Sequence, residues 1–268
     1  MDSLLHLLLL ALIQGLTEFL PVSSSGHLIL LPRLLNVEDQ GLLLDVAVHV
    51  GTLGAVMLYF WRDMGQLVAG FAHTLTGKFT TRQARLFLLL CFATVPVIIL
   101  GLVLKMADAM DAMRNIKVIG WTMLTFGIAL YIADKKGPEI RKAEGWNWKD
   151  ALLMGLAQAI ALIPGTSRSG ITITAARGLG FTRTDGARIA MLMSIPTILA
   201  SGLLLGKDVV EAGDWTLLKE AGLAAVLAFF SALGALTLMM RLLRSTSFTP
   251  YVIYRIALGL LLLFIAYS

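Results

Sequence analysis

Repeated apolar runs constrain the fold of this chain more than any other feature. Six of them approach the roughly 20 residues that an α-helix needs to cross a bilayer. They lie near 45–61, 86–104, 116–134, 188–205, 221–240 and 251–267. Only 15% of the 268 residues are charged, against about 25% in a typical soluble domain. The sequence therefore predicts an all-α polytopic membrane protein with six transmembrane helices.

The formal net charge of +5 would favour a nucleic-acid partner in a soluble protein. In a membrane protein, however, lysines and arginines collect in cytoplasmic loops and set the topology. Fourteen of the 22 lie in one set of loops, at 62–85, 135–150, 177–188 and 241–250. Six lie in the alternating set, at 28–44, 105–117 and 206–220. We expect no nucleic-acid partner, a cytoplasmic location for the richer set, and a solvated loop at 62–85.

A polar segment interrupts the first apolar stretch. Gln14 to His27 reads QGLTEFLPVSSSGH and holds a carboxylate, three consecutive hydroxyl groups and an imidazole. Polar groups at membrane depth are costly, so the default interpretation is a functional site. Pro21 stops the first helix and apolar character resumes at Leu28. This pattern predicts a re-entrant helix pair, whose loop must be buried in protein or line a cavity.

A second polar segment follows about half a chain later. Pro164 to Gly170 reads PGTSRSG and interrupts the stretch 151–182 in the same way. SSSG at 23–26 therefore corresponds to SRSG at 167–170, each a few residues after a proline. The chain thus contains an interrupted pair and three spans, followed by another interrupted pair and three more spans.

This order is an internal repeat, with copies at 1–134 and 151–268. A unit with an odd number of crossings ends on the opposite side of the membrane, so the second copy must be inverted. Interrupted segments at matching positions of inverted halves indicate a binding site near the membrane midplane. We predict two re-entrant helix pairs in an inverted-topology repeat, within one integral membrane domain spanning 1–268, and we expect the two loop tips to meet.

The two segments carry the groups that phosphoryl transfer needs. Gln14 and Glu18 are spaced i,i+4 and share one helix face. Small and hydroxyl residues beside a helix start provide free backbone N–H groups for an anion. The Arg168 guanidinium fits a phosphate in a bidentate manner. Positioning and charge neutralisation carry most of such a reaction. A carboxylate near phosphate oxygens also suggests Mg²⁺ or Ca²⁺.

Several residues allow a second interpretation. Arg168 could serve as a structural partner of Glu18 instead of binding an anion. Asp45 and His49, also spaced i,i+4, could line the mouth of the site or cap the helix that they begin. Arg255 is expected to reach back to the cytoplasmic interface from the start of the last span. We assign it no catalytic role.

The pair QGLTEFLPVSSSGH and PGTSRSG resembles the motifs of the undecaprenyl-diphosphate phosphatase family, also called bacitracin-resistance proteins. The similarity covers essentially the whole chain, in the order and spacing of both motifs and the spans between them. It implies removal of the terminal phosphate from undecaprenyl diphosphate, which returns the monophosphate carrier to peptidoglycan and envelope polymer synthesis. It further implies a multi-pass protein of the bacterial inner membrane, a periplasmic active site and dependence on a divalent cation.

The resemblance also implies roles for individual residues. Glu18 matches the second position of the family's [E/Q]xxxE motif and Gln14 the first, so the metal ligands would be Glu18 and Gln14, with one carboxylate between them. Ser24 matches the proposed nucleophile, His27 the essential histidine and Arg168 the arginine of the second motif. The residues expected to bind the diphosphate are Ser23, Ser25, Gly26, Thr166, Ser167, Ser169 and Gly170.

The mechanism has three versions at this stage. In the first, Glu18 or His27 takes the Ser24 proton and Ser24 attacks the terminal phosphorus. In the second, His27 organises a direct attack by water, and in the third His27 is itself the nucleophile.

Two other functions compete with this one. Inverted repeats with broken helices also build secondary transporters, so a transporter or flippase of polyprenyl phosphate lipids is the alternative. A type-2 phosphatidic acid phosphatase would need an upstream KxxxxxxRP motif and a histidine six residues after Arg168, where Thr174 stands. The sequence leaves open whether two copies associate as a homodimer.

Overall fold

The computed structural model describes residues 3–35, 41–211 and 215–268. These residues form twelve α-helices, the sixth of only one turn, and one short 3-10 helix at Ala143–Gly145. The helices are α1 (Ser3–Glu18), α2 (Ser24–Leu35), α3 (Gly41–Tyr59), α4 (Trp61–Leu75), α5 (Arg82–Met106), α6 (Ala109–Ala112), α7 (Ile116–Lys136), α8 (Trp148–Ile160), α9 (Arg168–Gly178), α10 (Arg183–Glu211), α11 (Trp215–Leu242) and α12 (Thr249–Tyr267).

Several helices are suited to crossing a membrane. In the described part of the chain, α5, α7, α10, α11 and α12 contain stretches that are long and apolar enough, and α5 is the most apolar with a mean hydropathy of 2.9. A sixth candidate consists of α3 and α4 taken together, with a bend of 93° between them. Large apolar side chains point outward, such as Phe264 with 72% of its surface exposed. The prediction of an all-helical, multi-pass membrane protein is confirmed.

The predicted loop at 62–85 is wrong, because most of it is helical. Trp61–Leu75 forms α4, which packs against α5. The charged residues suggested a loop, but Asp63 is buried and its Oδ1 lies 2.5 Å from Nη2 of Arg188 on α10. A charge that finds its partner on another helix is compatible with a packed element, and the sequence does not show that partner.

The two interrupted segments form short helix pairs. α1 and α2 have 16 and 12 residues, and α8 and α9 have 13 and 11. Each is therefore shorter than the roughly 20 residues of a full crossing. The breaks fall after Glu18 and after Ile160, close to Pro21 and Pro164. Within each pair the two helices pack against each other.

The helices of the two halves are interleaved. α1 packs against α11, α8 packs against α5, and α7 packs against α12. Gly155 shows how close α8 and α5 lie, since a Cβ atom at this position would stand 2.5 Å from the carbonyl oxygen of Ala93. Small residues at helix contacts allow such backbone approach in membranes.

This contact predicts the effect of one added methyl group. Gly155→Ala forces α8 away from α5, and we expect a loss of roughly 1–3 kcal/mol in the free energy of unfolding. Gly222→Ala is the matched control, because a Cβ atom there meets nothing within 4 Å and alanine favours a helix. Thermal unfolding in detergent measures both. Equal midpoints for the two variants would contradict this packing.

Candidate active site

The loops after α1 and α8 end in the same turn. Ser23 has a φ of 77° and Ser167 a φ of 71°, a region that non-glycine residues seldom occupy and that surrounding contacts must hold. Ser23 Oγ accepts a hydrogen bond from the Gly26 N–H at 3.3 Å, and Ser167 Oγ accepts one from the Gly170 N–H at 3.1 Å. Each serine therefore caps the helix that follows, α2 or α9.

The two loops meet through side chains of the second one. The Arg168 guanidinium donates to Glu18 Oε1 and to the Ser194 carbonyl oxygen, the latter at 3.2 Å. Ser169 Oγ donates to the Leu20 carbonyl oxygen at 3.0 Å. Glu18 is buried, with 7% of its surface exposed, and a buried carboxylate requires such a partner. The two polar segments therefore lie together.

The other carboxylate oxygen of Glu18, Oε2, lies close to polar side chains of α1, α2 and α3. Oε2 accepts from Ser24 Oγ at 2.7 Å and from Gln14 Nε2 at 2.9 Å, while His49 Nε2 lies 3.8 Å away. A hydroxyl group that donates to a carboxylate is the arrangement of a nucleophile and its base. Glu18 thus stands between one hydroxyl group and one guanidinium.

A cavity of about 350 Å³ opens beside this group. Its walls combine polar groups with apolar ones, including Val46, Val50 and Ile198. The predicted site residues that line it are Glu18, Ser24, Ser25, Ser167 and Arg168. The predicted residues absent from its described lining are Gln14, Ser23, Gly26, His27, Thr166, Ser169 and Gly170. The cavity therefore presents an acid, two kinds of donor and an apolar wall to one ligand.

Asp45 and His49 extend the polar wall of this cavity. Both line it, and His49 Nδ1 lies 2.6 Å from the Asp45 carbonyl oxygen. α3 begins at Gly41, so neither residue is at its N-cap. Of the two interpretations that the sequence allowed, the structure supports the lining of the site.

His27 is held from both sides. Its Nδ1 lies 2.7 Å from the Ser23 carbonyl oxygen, and its Nε2 lies 2.6 Å from the Tyr254 hydroxyl oxygen. Because a carbonyl oxygen only accepts, Nδ1 carries the proton and Nε2 accepts from Tyr254. The two rings also stack, with centroids 5.7 Å apart. In this arrangement His27 supports the first loop from the side of α12.

The expected location of Arg255 at the interface is wrong. The residue is fully buried, at 0% exposed surface, and its guanidinium donates to the carbonyl oxygens of Thr166 at 2.8 Å, Gly165 at 3.1 Å and Pro21 at 3.5 Å. No carboxylate in the described residues pairs with it. The loops interrupt helices and leave carbonyl oxygens without N–H partners, so one guanidinium satisfies oxygens from both loops.

A comparison of corresponding positions in α7 and α12 could have predicted that Arg255 faces the loops. It lies six residues after the start of α12, and Thr122 lies six residues after the start of α7. Thr122 Oγ1 also donates to a loop carbonyl oxygen, that of Pro164, at 2.7 Å. An arginine within an apolar run also indicates by itself that the side chain faces the protein interior and has a role there.

The residues beside Glu18 suit a hard cation. Gln14 Oε1 is buried and lacks a hydrogen-bond partner in the described part of the chain, and Glu18 adds carboxylate oxygens. Mg²⁺ commonly takes one or two carboxylates and completes its shell with phosphate oxygens and water. No group of three or more His, Cys, Asp or Glu residues is clustered within the described ranges. The oxygen donors that such a cation could use are therefore the Glu18 carboxylate, which lines the cavity, and the Gln14 amide oxygen, which is buried behind it.

Known proteins match this chain over nearly its whole length. Residues 7–261 match the family described as "Bacitracin resistance protein BacA". A protein of Ruegeria pomeroyi named undecaprenyl-diphosphatase is 63% identical over 99% of this chain and 100% of its own length. Proteins of the same name from Ruegeria sp. (strain TM1040) and Jannaschia sp. (strain CCS1) are 62% and 60% identical, each over 99% of this chain and 99% and 100% of their own lengths.

The chain belongs to the BacA family. The match includes both interrupted helix pairs and most of α12. The BacA resemblance seen in two short motifs therefore extends over the elements that bring those motifs together.

The position of Arg255 predicts a large stability effect. Arg255→Met removes the donor from three buried carbonyl oxygens, and leaving buried acceptors unpaired costs about 1–3 kcal/mol each. We expect the free energy of unfolding to fall by roughly 3 kcal/mol. Arg241→Met, at an exposed arginine on α11, is the control and should change it by less than about 0.5 kcal/mol. A similar unfolding midpoint for both variants would exclude a structural role for Arg255.

Proposed function

We propose that this protein hydrolyses undecaprenyl diphosphate to undecaprenyl phosphate and inorganic phosphate. Relatives at 60–63% identity carry the name undecaprenyl-diphosphatase. The observation that carries the proposal is the constellation of Ser24, Glu18 and Arg168 at one cavity with an apolar wall. A diphosphate headgroup matches the donors, and a polyprenyl tail matches apolar surface between the helices. The released monophosphate carrier would return to peptidoglycan and other envelope polymer synthesis.

The first step is attack on the terminal phosphorus. Glu18 accepts the Ser24 proton through the existing 2.7 Å hydrogen bond, and Ser24 Oγ forms the new P–O bond. The bond between the terminal phosphorus and the bridging oxygen breaks, and undecaprenyl phosphate leaves. Water then adds to the phosphoserine, which releases inorganic phosphate and restores the serine hydroxyl. Glu18 passes the serine proton to the bridging oxygen of the departing undecaprenyl phosphate. It then accepts a proton from the attacking water and returns it to Ser24 Oγ as the phosphoserine bond breaks.

Arg168 and the starts of α2 and α9 bind the phosphate groups. A guanidinium holds phosphate oxygens in a planar bidentate arrangement, and helix N-termini present N–H groups to anions. Ser23 and Ser167 already accept from the Gly26 and Gly170 N–H groups, so the N–H groups left for phosphate are those of Ser24, Ser25, Arg168 and Ser169. Arg168 faces Glu18 without substrate, so the diphosphate takes over part of its coordination.

Two observations favour Ser24 over His27 as the nucleophile. Ser24 lines the cavity and donates to Glu18. Both ring nitrogens of His27 are already engaged, by the Ser23 carbonyl group and the Tyr254 hydroxyl group. We therefore assign His27 to the positioning of the first loop.

A divalent cation, Mg²⁺ or Ca²⁺, would be held by Glu18 and Gln14 together with phosphate oxygens. When bound, it would neutralise charge on the diphosphate. Gln14 Oε1, buried and unpartnered in the described structure, supports this assignment.

The architecture that we propose is an inverted repeat of 1–134 and 151–268 with two re-entrant helix pairs. Its support is the matched pair Ser23 and Ser167, which share a positive φ and the same cap, and the crosswise packing of α1 on α11 and α8 on α5. Arg114 lines the cavity and belongs to the loops with fewer lysines and arginines. By the positive-inside rule, this position supports a cavity that faces the periplasmic side of the inner membrane.

The proposal predicts phosphate release from undecaprenyl diphosphate by the purified protein in detergent. Release should require Mg²⁺ or Ca²⁺ and stop when EDTA removes the cation. Ser24→Ala should lower the rate about 10³-fold or more, and Arg168→Lys about 10²-fold. Ser201→Ala is the matched control, because Ser201 lines the same cavity and is not one of the residues proposed to bind the diphosphate. We expect its rate to stay within about tenfold of that of the parent.

Absence of release from folded parent protein under either cation would overturn the proposed hydrolysis. Transport of unchanged polyprenyl phosphate lipid into vesicles would then be the competing function to measure.

The role of His27 gives a separate prediction. If His27 positions the loop through Tyr254, then His27→Gln and Tyr254→Phe should lower kcat by similar factors, of roughly tenfold each. The double variant should add little to either single change, because the two residues act as a unit. Steady-state kinetics of phosphate release measures this. A complete loss in His27→Gln beside a near-normal Tyr254→Phe would assign His27 to the chemistry.

A further inference from the structure

A second cavity, of about 400 Å³, lies at the other end of the helices. It is enclosed by α4, α5, α10 and the segment around the 3-10 helix at Ala143–Gly145. On α10, Arg188 to Leu192 face this cavity, and Thr197 to Gly202 face the first one. At 1.5 Å per residue, Leu192 and Thr197 are about 7.5 Å apart along the helix axis. The second cavity is therefore distinct from the candidate active site.

A buried indole group in this cavity lacks an acceptor. Trp146 has 3% of its surface exposed and lines the cavity. Its Nε1 atom is buried and has no hydrogen-bond partner in the described part of the chain. A buried indole N–H normally finds an acceptor. Since this nitrogen can only donate, the missing partner must be a group that accepts.

The charges around the cavity also favour an accepting ligand. Its two acidic residues are both engaged, since Asp63 pairs with Arg188 at 2.5 Å and Glu144 lies 3.5 Å from Arg82. Arg85 lines the same cavity, and its guanidinium has no ion pair or hydrogen bond within the described residues. Among the described lining residues, the free charged group is thus the Arg85 guanidinium and the free buried group is the Trp146 indole N–H, both of them donors. The Gln66 and Thr80 side chains also line the cavity and can donate to the same ligand.

The floor of the cavity is apolar. It is formed by Leu86, Leu89, Leu90, Ile189 and Leu192. A donor pair above an apolar floor matches a molecule with an anionic head and a hydrocarbon chain. Basic pockets between membrane helices take lipid headgroups in this way.

We propose that this cavity binds the phosphate group of an anionic membrane phospholipid. The phosphate oxygens accept from Arg85 and from the Trp146 indole, and an acyl chain covers the apolar floor. Free phosphate shares the headgroup chemistry, but the cavity lies among apolar helices suited to crossing a membrane and has leucine and isoleucine in its walls, so we assign the lipid as the source. The cavity lies among the stretches richest in lysine and arginine, which places the lipid in the leaflet on the side opposite the candidate active site.

The test is native mass spectrometry of the full-length protein in detergent with phosphatidylglycerol, compared with phosphatidylcholine of the same acyl chains. We expect one tightly retained phosphatidylglycerol and no comparable retention of phosphatidylcholine. Arg85→Gln should weaken that retention about tenfold, and Trp146→Phe roughly fivefold. Arg241→Gln, an exposed arginine outside the cavity, is the matched control and should retain phosphatidylglycerol as the parent does.

Inorganic phosphate is added in a second arm. Retention that weakens equally in Arg85→Gln and Arg241→Gln, or that is equal for the two lipids, overturns the site. Binding of inorganic phosphate that depends on Arg85, with no preference between the lipids, overturns the lipid as the source.

Arg85 is exposed, so we expect Arg85→Gln to fold, and a thermal midpoint equal to that of the parent verifies this. Phosphate release in detergent without anionic lipid should remain unchanged in Arg85→Gln, which keeps this test independent of the proposed hydrolysis.

Discussion

The structure depends on hydrogen bonds to the backbone carbonyl groups that are left without partners where two membrane helices are interrupted. Where α1 and α8 end inside the apolar helix bundle, no bulk water is at hand for the freed carbonyl groups, so the protein itself must supply donors. Arg255 donates to both loops, Thr122 donates to the second and Ser169 donates to the first. Two of these three residues, Thr122 and Arg255, are on α7 and α12, so helices far along the chain from each break supply donors to its carbonyl groups.

The same helix interruptions also expose the backbone groups that the proposed reaction uses. A helix that stops and restarts exposes its N-terminal N–H groups, which an uninterrupted span would bury in its own hydrogen bonds. Ser23 and Ser167 hold the restart in a backbone conformation that serine seldom adopts, and such strain persists where surrounding contacts fix it. In the proposed mechanism, the N–H groups, Ser24 and Arg168 would thus be in position before substrate arrives, which would lower the reorganisation that phosphoryl transfer requires.

The extent to which the sequence predicted this arrangement follows from the range of each interaction. Spans and breaks depend on local composition, so the sequence predicts them directly. The correspondence of SSSG at 23–26 with SRSG at 167–170 further predicts that the two loops meet. The partners of Asp63 and His27 lie 125 and 227 residues away, and single-chain patterns carry no such information. For this reason the charges of 62–85 predict a loop where α4 forms, and the sequence does not indicate the orientation of His27. The prediction for Arg255 is wrong for a different reason, since a long side chain near a span end can equally extend to the interface.

The pairing of Glu18 with Arg168 is better explained by chemistry than by stability. A buried ion pair loses so much solvation that apolar residues of similar volume often stabilise a protein equally well or better. A chain selected only for stability would therefore have little reason to retain these charges beside a cavity. In the proposed reaction, a phosphate group would replace the carboxylate on Arg168 and leave Glu18 free to accept the Ser24 proton. The ion pair would then keep the charges of Glu18 and Arg168 balanced until the phosphate binds Arg168.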